Sequence, residues 1–233
     1  MAINPRERLI LALDLPSADD AKRLMDRVGQ EIAFVKIGLE LFTAAGPGIV
    51  QWAIQQGKQV FLDFKLLDIG ETVKRATAAA AELGATFLTV HAGTKTIRAA
   101  VEGRGASPLK ILGVTVLTNF ADSDLEELGI RESMPDAVVR RARLATAWGA
   151  DGLVAAGTHL EGIRMLLGSK PIIVTPGIRP VGAFPDDQVN VATPTLALAA
   201  GADYLVVGRA IRNAPDPAAA ARAIQAEIAA ACK

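Results

Sequence analysis

The amino-acid sequence predicts a (β/α)8 barrel, an α/β fold that occupies residues 1–233 as a single domain, and three observations support this class. Short apolar segments alternate with helical segments eight times along the chain. The apolar segments are continuous, as expected for parallel strands that are covered on both faces. The 233 residues contain no obvious linker, and this length is ordinary for one barrel. A doubly wound open sheet is the alternative, but DLPSAD at 14–19 lacks the glycines of a dinucleotide-binding loop.

Turn residues and apolar runs place the elements of the first half. Pro16 and Ser17 break the first strand, and Gly29 closes the helix that follows. Gly46-Pro47-Gly48 interrupts the second helical segment. The predicted strands are 8–14, 32–37, 59–65 and 86–91, and the predicted helices are 18–30, 40–56, 70–83 and 94–102.

The second half continues the alternation and contains one long loop, predicted from 175 to about 192. Gly149 ends a helical region, and Thr193 followed by Pro194 is typical of an N-cap and a first helical residue. The predicted strands are 109–117, 151–155, 171–174 and 203–207, and the predicted helices are 122–128 with 135–148, 159–167, 194–200 and 216–231.

Composition argues against several classes of function. The formal net charge is zero and 4% of residues are aromatic, so we expect no nucleic-acid partner. No segment approaches the ~20 apolar residues of a membrane span, and MAINPRERLI lacks the layout of a signal peptide. The single Cys232 allows no intrachain disulfide, and no Cys/His cluster has metal-binding spacing. We therefore expect a cytoplasmic protein without a membrane partner or a metal site.

The most informative segment is VFLDFKLLDIGETV at residues 60–73, which begins as a strand and continues into a helix. Side chains alternate along a strand, so Phe61, Asp63 and Lys65 share one face. Asp68 follows where the helical pattern begins. Two acids around one lysine are costly to bury beside an apolar run, and such groups concentrate where chemistry needs them.

Structural interpretations of this segment stay open. Asp63 and Lys65 could form a simple ion pair at the end of a strand. Asp68 and Glu71 have the spacing of a capping box, with the aspartate as the N-cap and the glutamate at the third helical position.

Polar residues stand at or just after the carboxyl ends of the first five predicted strands, where the catalytic groups of such barrels lie. They are Asp14, Lys36, Asp63, Lys65, His91 and Thr118. Five of them are ionisable and converge on one mouth, which indicates a polar active site. His91 is also consistent with a structural role that holds a neighbouring loop.

The ends of the seventh and eighth strands predict a phosphate-binding region, as is common in barrels. VTPGIR at 174–179 contains Gly177, where the backbone can approach a ligand closely. In VVGRAI at 206–211, Gly208 could offer a backbone N–H and Arg209 a bidentate guanidinium. The alternative is an ordinary turn with a surface arginine.

The string D-x-K-x-x-D-I-G-x-T at residues 63–72 resembles the signature of the orotidine 5′-monophosphate decarboxylase family, and the resemblance to bacterial members extends along the whole chain. Further matching segments are ALDL at 12–15, VKIG at 35–38, TVHA at 89–92, VTPGIRP at 174–180, DDQ at 186–188 and AAGADYLVVGRAI at 199–211.

The resemblance implies a carboxy-lyase that converts orotidine 5′-monophosphate to uridine 5′-monophosphate and CO2, the last step of de novo pyrimidine biosynthesis. It implies no cofactor. By position, Lys65 would deliver the proton, and Asp63 would lie beside the substrate carboxylate. Asp68, Ile69 and Thr72 would act in the site of the neighbouring subunit of a homodimer.

The resemblance also implies which residues bind the rest of the substrate. Asp14 and Lys36 would hold the ribose hydroxyls, and Thr118 would contact the pyrimidine edge. Gln188 would bridge pyrimidine and phosphate, and Arg209 would bind phosphate. The implied substrate-binding set is completed by Pro176, Arg179 and Gly208.

The sequence departs from the bacterial pattern, and two rival functions stay open. Asn190 stands where arginine is common, Thr89 where asparagine is common, and GTKT at 93–96 replaces a glycine-rich stretch. One rival is a magnesium-dependent sugar-phosphate decarboxylase or aldolase of the same superfamily, which also carries D-x-K-x-x-D. The other is a catalytically silent barrel that binds a phosphorylated metabolite. The nucleotide enzyme is favoured by Ile69, Gly70, Thr72, Gln188 and the pyrimidine-side residues. Metal dependence would discriminate between the two enzymes.

Overall fold

The computed structural model describes residues 3–180 and 192–232, and its strands form a closed barrel. Each strand pairs in parallel with the next along the chain, and the last pairs with the first. The strands are β1 (Leu9–Ala12), β2 (Phe34–Gly38), β3 (Gln59–Leu66), β4 (Phe87–His91), β5 (Lys110–Val114), β6 (Gly152–Val154), β7 (Ile172–Thr175) and β8 (Tyr204–Val207). The predicted (β/α)8 fold is confirmed.

Helices cover the outside of the barrel. They are α1 (Ala18–Val28), α2 (Leu39–Ala45), α3 (Gly48–Gln55), α4 (Gly70–Glu82), α5 (Thr94–Arg104), α6 (Asp122–Glu127), α7 (Met134–Ala147), α8 (Leu160–Leu167), α9 (Pro194–Ala199), α10 (Arg209–Arg212) and α11 (Pro217–Ala231). Gly46 ends α2 and Pro47 precedes α3, so the predicted interruption is confirmed. The short helix α10 was not expected from the sequence. Within the described ranges, no helix combines the length and the apolar character needed to cross a membrane.

The predicted fifth strand, 109–117, is too long. β5 ends at Val114, which is in register with His91 of β4 and Val154 of β6. Both neighbouring strands end at those residues, so the ladder of β5 ends there too. The apolar Val116 instead lines the mouth of the barrel.

Aromatic rings fill the lower part of the barrel interior. Phe34, Phe61 and Phe87 are buried on three adjacent strands, and the ring centroids of Phe34 and Phe87 are 5.0 Å apart. Tyr204 of β8 meets Phe87 edge-on at 5.1 Å. A second apolar layer lies between the strands and the helices. Because these rings occupy the amino-terminal half of the interior, a ligand can enter from the carboxyl ends of the strands, which we call the mouth.

The opposite end of the barrel, where the strands begin, is called the base. Asp151 directly precedes β6 and accepts a hydrogen bond from the backbone N–H of Ile111 in β5 at 2.9 Å. Asp203 directly precedes β8 and accepts from the N–H of Ile173 in β7 at 2.8 Å. Arg164 of α8 donates to Asp203 at 2.8 Å. Each carboxylate at the base therefore joins two neighbouring strands.

Candidate active site

A cavity of about 390 Å³ opens at the mouth of the barrel. This volume is within the range of small-molecule sites. The site residues predicted from sequence that line the cavity are Asp14, Lys36, Asp63, Lys65, Thr118, Pro176, Arg179, Gly208 and Arg209. Apolar side chains such as Val154 and Val174 line it as well, so polar groups meet an apolar surface.

Four charged side chains from the ends of β1, β2 and β3 form a continuous series of ion pairs in the cavity wall. Lys36 Nζ donates to Asp14 Oδ1 at 2.8 Å and lies 3.4 Å from Asp63 Oδ2. Lys65 Nζ lies 2.9 Å from the same oxygen of Asp63. The ion pair that the sequence allowed between Asp63 and Lys65 is therefore present, and it faces the cavity rather than the outer surface.

Burial and neighbouring charges set the protonation states of this cluster. Burial raises the pKa of Asp63, but the attraction of Lys36 and Lys65, together with the hydrogen bonds from Lys65 and Thr89, outweighs burial, so the pKa lies below its ordinary value. Burial lowers the pKa of Lys36, but the attraction of Asp63 and Asp14 outweighs it, so that pKa is raised. Asp63 is therefore a carboxylate and Lys36 an ammonium group at neutral pH.

Lys65 stands on an irregular stretch of β3. Its φ of 48° lies in the left-handed region, and within the described residues it alone among non-glycine residues has a positive φ. The pairing of β3 with β4 passes from Leu62 with Leu88 to Leu66 with Val90, so four residue steps in β3 oppose two in β4. This bulge directs the lysine side chain toward the cavity. Strained backbone of this kind is concentrated at functional sites.

The wall at the ends of β7 and β8 carries further residues that the sequence predicts for substrate binding, with Gly208 and Arg209 predicted for phosphate. Pro176, Arg179, Gly208 and Arg209 line it together with Gly177. The φ of Gly177 is 76°, a conformation that glycine adopts without strain. Arg179 is buried, so its positive charge belongs to the cavity rather than to the outer surface. This wall is suited to an anionic group.

Three predicted site residues lie outside the cavity. Asp68, Ile69 and Thr72 do not line it, and all three are exposed on this chain. The capping-box interpretation is wrong, because Ile69 rather than Asp68 is the N-cap of α4. Glu71 is consequently the second helical residue, and it pairs with Arg75 at 2.8 Å instead of reaching back to the cap.

Two expectations from the sequence keep an open outcome. His91 is the last residue of β4, and it is not among the residues that line the cavity. Burial, followed by the charges of Arg141 and Lys65, lowers the pKa of His91, so its imidazole is neutral at pH 7. Its role stays open between structure and catalysis. Gln188 and Asn190 lie outside the described residues.

Sequence analysis missed three residues of this site. Arg212 lines the cavity and donates a hydrogen bond to the backbone carbonyl of Asp14. Asn119 also lines the cavity. Gly38 leaves room for the ion pair of Lys36 with Asp14, since a Cβ there would lie 3.1 Å from Lys36 Nζ. Two signals in the sequence could have revealed these residues. Arg212 lies three residues after Arg209, so the two share one face of a helix, and Gly38 is the glycine of the VKIG motif.

These features define a class of protein. It is a (β/α)8-barrel enzyme whose mouth joins a cluster of lysines and carboxylates to an arginine-containing wall suited to an anionic group. Fixed charges in such a partly closed site are suited to stabilising charge that develops during a reaction.

Comparison with known proteins narrows this class. Residues 7–224 match the model of the orotidine 5′-phosphate decarboxylase / HUMPS family. An orotidine 5′-phosphate decarboxylase of Rhodopseudomonas palustris is 51% identical over 229 residues, which are 98% of this chain and 97% of the relative. One of Afipia carboxidovorans is 51% identical over 226 residues, which are 97% of this chain and 96% of the relative. The crystal structure of orotidine 5′-phosphate decarboxylase from Lactobacillus acidophilus has a TM-score of 0.85 at 37% identity, covering 95% of this chain and 99% of that one. The chain belongs to the orotidine 5′-phosphate decarboxylase / HUMPS family.

Proposed function

We propose that this protein decarboxylates orotidine 5′-monophosphate to uridine 5′-monophosphate and CO2, the last step of de novo pyrimidine biosynthesis, without a cofactor. The observation that carries the proposal is the position of Lys65, whose Nζ lies 2.9 Å from Asp63 and faces the cavity. The substrate follows from relatives of 51% identity that are named for this activity.

The chemistry needs a fixed positive charge and a proton donor. When the bond to CO2 breaks, its electron pair stays on the ring carbon as a vinyl-type carbanion. The ammonium group of Lys65 stabilises this charge and then transfers a proton to the carbon. Lys65 is left as a neutral amine, which regains a proton from water. Because Asp63 already holds the ammonium group, little reorganisation is needed during the reaction.

Asp63 has a second part in this proposal. Its carboxylate is ionised and would lie beside the substrate carboxylate, where the two negative charges repel each other. The repulsion is relieved as neutral CO2 departs, which favours the transition state over the bound substrate.

The remaining cavity residues bind the parts of the substrate that do not react. Asp14 and Lys36 hold the ribose hydroxyls, and Thr118 contacts the pyrimidine edge. Arg179 and Arg209 bind the phosphate, and the neighbouring backbone of Pro176 and Gly208 lets the ligand approach. Gln188 bridges pyrimidine and phosphate. Binding energy from these groups positions the reacting carbon against the lysine.

The direct test is to add orotidine 5′-monophosphate to the purified protein and follow its ultraviolet absorbance with and without EDTA. We expect conversion to uridine 5′-monophosphate at the same rate in both samples. Activity that EDTA abolishes would contradict the cofactor-free route. Magnesium-dependent turnover of a sugar phosphate, with no turnover of the nucleotide, would favour the rival enzyme. Tight binding without turnover would identify a silent barrel.

We also propose that the protein acts as a homodimer with shared sites. Leu67 and Ile69, on either side of Asp68, are 68% and 73% exposed. Leu39 follows the neighbouring strand β2 and is 58% exposed. Large exposed apolar side chains beside the mouth are typical of an interface. A second subunit on this surface would bring Asp68, Ile69 and Thr72 of one chain to the cavity of the other.

Mixing two inactive variants tests the shared site. Lys65→Ala and Asp68→Ala are each expected to be inactive alone. After subunit exchange, half of the dimers are hybrids with one intact site each, so about a quarter of the wild-type sites should be active. Differently tagged subunits verify that hybrids form. Verified hybrids without activity would contradict a shared site.

The cytoplasmic location expected from the sequence stays a prediction. The thiol of Cys232 is free and exposed, which fits a reducing compartment. Cell fractionation with an antibody to the protein would test it.

A further inference from the structure

Thr89 of β4 touches both members of the ion pair between Asp63 and Lys65. Its Oγ1 donates to Asp63 Oδ1 at 2.9 Å and accepts from the backbone N–H of Lys65 at 3.0 Å. Thr89 is 0% exposed, so water does not compete for these hydrogen bonds. Thr89 is not among the residues that line the cavity, and it can therefore affect a bound substrate only through its neighbours.

The position of Thr89 opposite the bulge in β3 explains the second hydrogen bond. The residues on either side of Thr89 pair with Leu62 and Leu66, so Thr89 faces the extra residues of the bulge. A bulge interrupts the regular ladder and leaves backbone groups in need of other partners. The Thr89 hydroxyl accepts the N–H of Lys65, and it thereby supports the positive φ of that residue.

The hydroxyl also determines how Asp63 uses its two oxygens. A threonine hydroxyl has one proton to donate, and at Thr89 this proton is directed at Asp63 Oδ1. The other oxygen, Oδ2, is left for the ammonium groups of Lys36 and Lys65, at 3.4 and 2.9 Å. Rotation of the carboxylate would break this division, so the hydroxyl holds the orientation in which both lysines meet one oxygen.

We propose that Thr89 is a positioning residue for the decarboxylation, a role that rests on the proposed function. Its hydroxyl holds the carboxylate of Asp63 and the left-handed backbone of Lys65 in the arrangement that directs the ammonium group into the cavity. Thr89 touches no reacting atom. It acts on Asp63 and Lys65, which serve the reaction step, so we expect its loss to affect the reaction step rather than substrate binding.

Three variants separate this role from ordinary packing. Thr89→Val removes the hydroxyl and keeps the branched shape, whereas Thr89→Ser keeps the hydroxyl. Thr77→Val is the matched control, because Thr77 is also 0% exposed and donates to the carbonyl of Val73 at 2.8 Å within α4. If Thr89→Val does not fold, Thr89→Ala takes its place in the comparison with Thr89→Ser.

The expected result is a split between kcat and KM. Thr89→Val should lower kcat by about 10²-fold, the effect of displacing a reacting group by about 1 Å. The KM for orotidine 5′-monophosphate should change by less than about threefold, because Thr89 itself contacts none of the residues assigned to binding, and Lys36 keeps its ion pair with Asp14. Thr89→Ser should recover most of the lost kcat, and Thr77→Val should keep the wild-type value.

Two kinetic results would overturn the proposal. One is a kcat for Thr89→Val within about threefold of wild type; the other is a serine variant as impaired as the valine variant. Crystal structures of the wild type and Thr89→Val give a second test that needs no turnover. We expect Lys65 to leave the left-handed region or its 2.9 Å contact with Asp63 to open, and unchanged geometry would refute the role. Wild-type protein that does not convert the nucleotide would refute the proposed function, and the two crystal structures would still decide the role of Thr89.

Discussion

The two ends of the barrel both place cations beside carboxylates, but Asp203 at the base and Asp63 at the mouth meet different kinds of cation. At the base, Arg164 binds Asp203 at 2.8 Å and also donates to the backbone carbonyls of Gly201 at 2.7 Å and Pro171 at 2.8 Å. At the mouth, the cations beside Asp63 are lysines. A guanidinium spreads five donors over a rigid fork, whereas an ammonium group is a compact charge on a flexible stem.

The choice of cation explains why a pair of a cation and a carboxylate can stabilise the fold at the base and serve a ligand at the mouth. The donors of Arg164 are shared among a carboxylate and two loops, so the arginine acts as a clamp. Lys65 instead stands on left-handed backbone, which costs about 1–3 kcal/mol, and its side chain is 34% exposed toward the cavity. The base is therefore organised for stability, and the mouth keeps a charged group ready for a ligand.

The largest expected effect is a loss of kcat in Lys65→Ala that is not matched by a loss of folding stability. Lys65→Ala should lower kcat by about 10⁴-fold or more, because it removes both the stabilising charge and the proton donor. Nucleotide absorbance measures the rate, and urea unfolding should show a change below about 1 kcal/mol. Lys58→Met is the control at the base, where Lys58 donates to the carbonyl of Ile32 at 2.8 Å. It should lose stability and keep kcat. Near-normal turnover by Lys65→Ala would refute the mechanism.

The next effect concerns the wall of the mouth at the ends of β7 and β8. Arg209→Ala should raise the KM for orotidine 5′-monophosphate by about 10²-fold and lower kcat less, because it removes a charge-assisted contact to the phosphate. Steady-state kinetics measure both values. Orotidine without its phosphate is the control substrate, and it should be equally poor for both proteins. Unchanged kinetics with the phosphorylated substrate would show that Arg209 does not bind phosphate.

At the base, we expect stability to change while activity does not. Arg164→Met should lower the free energy of unfolding by about 2–3 kcal/mol, because it removes the cation beside Asp203 and the donor to the backbone carbonyls of Gly168, Pro171 and Gly201. Urea unfolding measures this loss. Arg23→Met removes an exposed pair with Asp20 and should cost much less, because solvent screens that pair. Equal losses in the two variants, or a lowered kcat in Arg164→Met, would contradict the division between base and mouth.

The smallest effect is a pH dependence of stability at the mouth. The pKa of Asp63 is lower in the folded chain than its ordinary value of 3.8, so the ionised group stabilises the fold. This contribution is complete above the unfolded pKa and is lost as pH falls through the folded value. Urea unfolding between pH 2.5 and 6, as a practical range, should show the advantage of the wild type over Asp63→Asn shrinking below about pH 4. If the free energies of unfolding of the two proteins changed in parallel with pH, Asp63 would not contribute in this way.

Local sequence predicted much of the architecture and one face of the mouth. The alternation of side chains along β3 placed Phe61, Asp63 and Lys65 together, and all three line the cavity. Thr193 caps α9 and Pro194 begins it, as expected from the sequence. Both features involve residues that are close along the chain. The error in the fifth strand arose because the apolar run continues past the point where its neighbours end.

The sequence by itself determined the repeated strand–helix alternation and the position of charged groups at the carboxyl ends of strands, because periodicity and turn residues are local. Only the tertiary structure decided which charges meet. Lys36 reaches Asp14 across 22 positions, and Arg212 reaches the carbonyl of Asp14 across 198. The backbone of Lys65 depends in the same way on its pairing with β4 and on Thr89. These contacts exist because the pairing of neighbouring strands and the closure of β8 onto β1 bring distant segments together, and no local pattern encodes which side chains then meet.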